Sequence, residues 1–218
     1  MTIQQNQGVD ISAVGAIFSV NNPYWEEIKE AIGNDILMGG DVVRRWSLNG
    51  EFALRRQEFV HRYSWTVPDP DTLLFVAAWC GGKIIDPLAG TGYWAYLLDQ
   101  MSIDVIAYDK EPDDNTWHPE KYERFFEVLK EEAVFSVALH PDRTLFLSWV
   151  PYGYPGDRII NAYKGDRIVY IGEGEYGCCG DDSMFACLEE NWKEVESHRP
   201  VQWDGMHDYV TIYDRKKK

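Results

Sequence analysis

From residue 83 onward, short apolar runs alternate with longer stretches whose apolar positions recur at helical spacing. The apolar runs predict strands at 83–87, 103–108, 125–129, 144–149, 167–172, 192–196 and 208–213. The stretches between them predict helices near 92–101, 117–124, 131–139, 156–163 and 181–191. Strict alternation of this kind implies an α/β fold with a mostly parallel sheet and helices on both faces. The last two strands are joined by a loop without a helical pattern, which suits an antiparallel end to the sheet.

The first third of the chain reads differently. Residues 1–22 are polar and rich in Gln and Asn. Asn22-Pro23 begins a helix expected to run to about Ile32, with Asn22 as its cap. Gly39-Gly40 interrupts, and further helical stretches fall at 41–46 and 50–62. Asp69-Pro70-Asp71 then opens a capped helix over 69–80. The expectation is a helical extension, residues 1–80, on a cofactor-binding domain of residues 81–218.

The most informative segment is Ile84-Ile85-Asp86-Pro87-Leu88-Ala89-Gly90-Thr91-Gly92-Tyr93-Trp94-Ala95, followed by Val105-Ile106-Ala107-Tyr108-Asp109. It reads as strand, glycine-containing turn, helix, and a second strand ending in an acid. Turn glycines let a ligand approach the backbone, and the helix beyond them offers free N–H groups. Asp109 stands where it can accept hydrogen bonds from two ribose hydroxyls. The segment therefore predicts a nucleoside-type cofactor.

Two cofactors fit the pattern. Gly90-Thr91-Gly92-Tyr93-Trp94-Ala95 matches the G-x-G-x-x-A dinucleotide fingerprint. The stretch also resembles the cofactor motif of class I S-adenosylmethionine-dependent methyltransferases, in which an acid ends the first strand before a Gly-x-Gly turn. The second reading is preferred. Asp86 would repel a pyrophosphate but attract an ammonium, and Asp-Pro-Leu-Ala separates the strand from the first glycine. The resemblance covers roughly residues 80–214 and implies a Rossmann-like, seven-stranded sheet. It implies S-adenosyl-L-methionine as cofactor, held by Asp86, Pro87, Ala89, Gly90 and Gly92, with Asp109 on the ribose. It also implies an acid after the third strand on the adenine amine, a place that either Glu131 or Glu132 can fill.

Leu145 to Tyr152 ends the fourth strand as Ser148-Trp149-Val150-Pro151-Tyr152. This resembles the Asp/Asn/Ser-Pro-Pro-Tyr/Phe motif of amino-methyltransferases, in a degenerate form. Trp149 stands in place of the polar residue, and Val150 in place of the first proline. Trp149 and Tyr152 are expected to line the pocket, with Tyr152 placed to stack on a planar acceptor.

After the fifth strand, the eleven residues Gly172 to Asp182 hold four glycines, four acids and two thiols. Asp181 or Asp182 caps the following helix. Glu173, at the strand end, is the candidate to orient a substrate amine or act as a base. His207, beside Asp208, is a candidate general base. The other histidines show no ligand spacing, so no metal site is expected.

Composition narrows the partners. The formal charge is −15 over 218 residues. Duplex binders usually carry a basic stripe, so so acidic a protein is not expected to bind a duplex. A small-molecule or nucleotide acceptor is expected instead. No apolar run approaches the ~20 residues needed to span a bilayer, and no signal peptide is expected. Cys80, Cys178, Cys179 and Cys187 form no C-x-x-C pair. They read as reduced thiols in a cytoplasmic protein.

The leading expectation is thus a methyltransferase-like enzyme acting on a small molecule or nucleotide. Three alternatives use the same residues. One is a non-catalytic acidic binding or inhibitory module. Another is an enzyme that cleaves the cofactor, with Glu173 or His207 as base. The last is a hydrolase built on Cys178/Cys179 and His207, whose Gly-Cys-Cys-Gly turn is one residue short of G-x-C-x-G.

Overall fold

The computed structural model describes residues 20–29, 55–113, 123–203 and 205–217. In chain order the elements are α1 (Pro23–Ile28), α2 (Arg56–Arg62), α3 (Pro70–Trp79), β1 (Lys83–Asp86), α4 (Tyr93–Gln100), β2 (Asp104–Asp109) and β3 (Val128–Lys130). Then follow α5 (Ala133–Leu139), β4 (Thr144–Ser148), α6 (Gly156–Ala162), β5 (Arg167–Gly172), α7 (Asp182–Asn191), β6 (Trp192–His198) and β7 (Tyr209–Arg215).

The seven strands form one sheet in the order β3-β2-β1-β4-β5-β7-β6. The first five are parallel, and β7 runs antiparallel to both β5 and β6. This is the Rossmann-like sheet that the resemblance implies, including the antiparallel end. The chain order reverses direction between β1 and β4, and a ligand crevice opens at such a switch point beyond the carboxyl ends of the strands.

Consecutive side chains of the central strands are buried on opposite faces. Ile84, Phe146, Val169 and Ile171 join one core with Leu73, Leu97 and Leu98 of α3 and α4. Ile85, Leu145, Leu147 and Ile168 join the other with Val137, Ile159 and Leu188 of α5, α6 and α7. Helices therefore cover both faces. The elements before residue 81 share the first core: Tyr24 stacks on both Phe59 and Tyr63, beside Tyr93.

Several elements differ from expectation. The third strand lies at 128–130, later than 125–129. The Phe125 amide donates to the Thr91 carbonyl at 3.0 Å, and Phe126 packs over Gly92, so this segment braces the turn before it pairs with β2. The expected helix over 117–124 falls mainly on 114–122, outside the described residues, and 123–124 are not helical. The expected helix over 41–46, the ends expected at 30–32, and 50–54 also lie outside them.

Two caps act as expected. Asn22 Oδ1 accepts from the Trp25 amide, and Asp181 Oδ1 from the Met184 amide. Asp69 does more than cap α3. Its carboxylate accepts from the Thr72 amide and hydroxyl and from the Val201 amide at 2.8 Å, tying α3 to the loop between β6 and β7. Asp69→Ala strips the cap and orphans a buried amide. Urea unfolding should show a loss of roughly 2–4 kcal/mol.

Candidate functional site

The carboxyl end of the sheet carries a cleft of about 520 Å³. That lies within the ~300–1,000 Å³ range of small-molecule sites. Its floor comes from Leu88, Gly90 and Asp109 after β1 and β2. One wall is Ser148, Trp149, Pro151 and Tyr152 after β4, with Tyr154 following, and Trp65 and Cys178/Cys179 complete it. A recess of about 40 Å³ adjoins this cleft, lined by Asp86, Ala89, Trp94, Ser64 and Ser148 among others.

The turn is built as a backbone cradle. Gly90 and Gly92 adopt φ of 55° and 75°, a left-handed conformation that suits glycine. A Cβ on Gly92 would lie 2.9 Å from that of Phe126. The Gly90 amide donates to Asp109 Oδ2 at 3.1 Å, and the Glu111 amide to Oδ1 at 3.0 Å. The acid ending β2 thus fixes the turn after β1. Pro87 is buried behind the turn, and the Ala89 amide donates to the Tyr108 carbonyl.

Asp86 is 2% exposed and accepts the Leu88 amide at 3.2 Å. Burial first, and then the charge of nearby Asp109, raise its pKa to about 7. Trp94 also lines the recess, and its indole Nε1–H is buried without a hydrogen-bond partner.

Trp149 ends β4 with φ of 51°, a backbone state rare for a bulky residue and found at functional sites. Its amide is held by the Ile171 carbonyl at 2.7 Å, and its indole Nε1 donates to Thr66 Oγ1 at 2.6 Å. The ring stacks on Trp65 at 4.9 Å. Tyr152 is 72% exposed at the rim. Tyr154 is half-buried, with its pKa pushed up to about 12 by burial and by the Glu132 and Asp109 charges. Glu132 therefore stands near Tyr154; the Glu131 carboxylate turns to the Glu132 amide.

Glu173 and His207 sit differently. Glu173 Oε2 accepts from the Cys178 amide at 2.8 Å, and Oε1 from the His207 amide at 2.9 Å. Burial works to raise its pKa, but those amides and the Cys178 thiol outweigh it, and the pKa is lowered. The carboxylate clamps the loop after β5 to the loop before β7, and it is not among the groups lining the cleft. The His207 ring is 78% exposed, with Nδ1 3.8 Å from Glu173. Asp208 turns the other way, into the protein, and accepts from the Thr66 hydroxyl. Burial, then Glu173, push the Cys178 thiol to about 11, and burial chiefly pushes Cys179 to about 12. Both thiols stay protonated near neutrality, which disfavours a nucleophilic role.

The structure thus brings Asp86, Ala89, Gly90, Asp109, Trp149 and Tyr152 to one cleft and its recess, with Gly92 in the turn beneath. Trp65, Tyr154 and Lys110 also line it and carry no local motif. Trp65 belongs to the segment before α3, and only the tertiary fold brings it to Trp149.

No protein-family model matches the chain, and no curated protein matches it. Solved structures of similar outline exist. They include magnesium protoporphyrin IX methyltransferase from Synechocystis with bound SAM, at 11% identity and TM-score 0.44, covering 97% of this chain and 100% of that one. A TehB-like SAM-dependent methyltransferase from Corynebacterium glutamicum aligns at 14% identity and TM-score 0.44, over 90% and 100% of the two chains. MtNAS in complex with MTA and tNA aligns at 13% identity and TM-score 0.46, over 94% of each. Likeness at this level does not extend to the chemistry of the site, which stands on the residues above.

The raised pKa of Asp86 has a signed consequence. The fold holds a proton that the unfolded chain releases near its ordinary value of 3.8. The associated stability is fully present below about pH 4 and is lost as pH rises through about 7, at up to about 1.4 kcal/mol per pH unit. Asp86→Asn, which cannot ionise, should gain stability relative to the parent between about pH 5 and about pH 8 in urea unfolding. A gap that does not widen over that interval would mean that Asp86 ionises freely.

Proposed function

We propose that this chain binds S-adenosylmethionine and transfers its methyl group to a small molecule or nucleotide. The observation that carries the reading is the pair of buried carboxyls at adjacent strand ends, Asp86 and Asp109, beside a cradle of turn amides. A dinucleotide would bring its pyrophosphate against Asp86, while an acid at the place of Asp109 suits the ribose of either ligand. A ligand with an ammonium at one end and a ribose at the other suits both.

The residues fit that ligand. Asp86 would take the ammonium and ionise as it does so. The unpartnered Trp94 N–H beside it supplies a donor for the carboxylate of an amino-acid end. Asp109, fixed by two amides at the end of β2, would stand against the ribose hydroxyls. Glu132 and Tyr154 stand at the far side, where an adenine amine would lie. When bound, the sulfonium supplies an already activated methyl group. The protein's own work is to align the acceptor and exclude water. Trp149, Trp65 and Tyr152 form the apolar acceptor wall, and Pro151 pairs with Cys179 to close it. Glu173 serves by holding the Cys178 loop in place, and His207 lies outside the wall.

Calorimetric titration with S-adenosylhomocysteine, S-adenosylmethionine and NADH tests the reading. Both sulfur ligands should bind, and NADH should bind more weakly. Asp109→Ala should lose roughly ten- to a hundredfold in affinity while its circular dichroism is unchanged. Tight NADH binding without any response to S-adenosylhomocysteine would overturn it.

A further inference from the structure

Arg56 opens α2 and lies against the back of the acceptor wall. Its guanidinium carbon is 5.3 Å from the Trp65 ring centroid and 5.8 Å from that of Trp149. Its Nε and Nη2 are buried with no hydrogen-bond partner, and it forms no ion pair among the described residues. Asp208 belongs to the same cluster through Thr66, whose hydroxyl donates to Asp208 Oδ2 and accepts from the Trp149 indole. Asp208 is 3% exposed, and its Oδ1 is buried without a partner. Native proteins rarely leave such atoms unpaired, and three in one cluster call for a partner.

The orphans have opposite polarity. Two are N–H donors on a fixed planar fork that matches a carboxylate, and one is a carboxylate oxygen that needs a donor. The groups covering them are flat and apolar. Trp65 lines the cleft and is the less buried of the two indoles, so a ligand in the cleft would reach the cluster by displacing it. Neither cofactor-end acid is available here, because Asp109 is held by the turn and Asp86 lies in the recess. We propose that the acceptor end of the cleft takes a planar aminocarboxylate, its carboxylate on Arg56 and its amine N–H on Asp208 Oδ1. The substrate class named here rests on the methyltransferase reading.

Anthranilate is the probe, with benzoate and aniline as its two halves. Each is titrated into the protein saturated with S-adenosylhomocysteine, whose own binding is measured first. Anthranilate should bind more tightly than either half and should change the tryptophan fluorescence. Arg56→Met keeps the stem on the indoles and should weaken anthranilate and benzoate roughly ten- to a hundredfold, leaving aniline and S-adenosylhomocysteine unchanged. Asp208→Asn should reduce anthranilate toward benzoate, and Arg56→Lys should restore part of the Met loss. Anthranilate binding no tighter than aniline, no binding at all to the saturated protein, or indifference to Arg56→Met would overturn the proposal. Failure of S-adenosylhomocysteine to bind would strike the methyltransferase reading instead.

Discussion

A carboxyl buried at the end of a strand resists ionising, the more so with a second acid nearby, and the cleft is organised around that constraint. β1 and β2 are parallel neighbours paired in register, Asp86 opposite Ala107, so their carboxyl ends must lie side by side. Asp109 accepts two backbone amides, which fix it in the turn. Asp86 has one amide and meets the constraint by holding a proton up to about pH 7. The asymmetry separates them: one carboxylate shapes the turn through two amides, while the other has one amide and a raised pKa.

The rest of the carboxyl edge follows from strand order. Because β1 lies between β2 and β4, the turn after β1 faces both Asp109 and the Ser148-to-Tyr154 segment. Trp149 pays for its left-handed backbone with bonds to Ile171 and Thr66, and the indole is thereby fixed against Trp65. Glu173 supports the same wall from behind through amides of two loops. An aromatic surface held this firmly would offer shape to a bound ligand at little further entropic cost.

How far the chain announced this arrangement depended on the range of the interactions involved. The central strands were legible because Ile84-Ile85, Leu145-Phe146-Leu147 and Ile168-Val169-Tyr170-Ile171 are buried on both faces and so read as unbroken apolar runs. The displaced third strand was not, because Phe125 and Phe126 look like strand residues but pack on the Gly92 turn. Asp86, Gly90 and Asp109 were legible because a local strand-turn-helix segment dictates their geometry. Trp65 and Arg56 carry no such signal: their positions depend on packing with residues remote in sequence. Glu173 shows the reverse case. An acid at a strand end reads as a candidate base, and only the two loop amides on its oxygens reveal how its charge is used.

We propose that Asp86 holds its proton until a cationic ligand arrives. Calorimetry of S-adenosylmethionine binding at about pH 6, in buffers of widely different ionisation enthalpy, counts the protons released. With a pKa of about 7 in the free protein, close to one proton should leave per ligand bound, and the count should fall toward zero in Asp86→Asn. Binding with no proton release would contradict the account, because Asp86 would then be either already ionised or not engaged by the ligand.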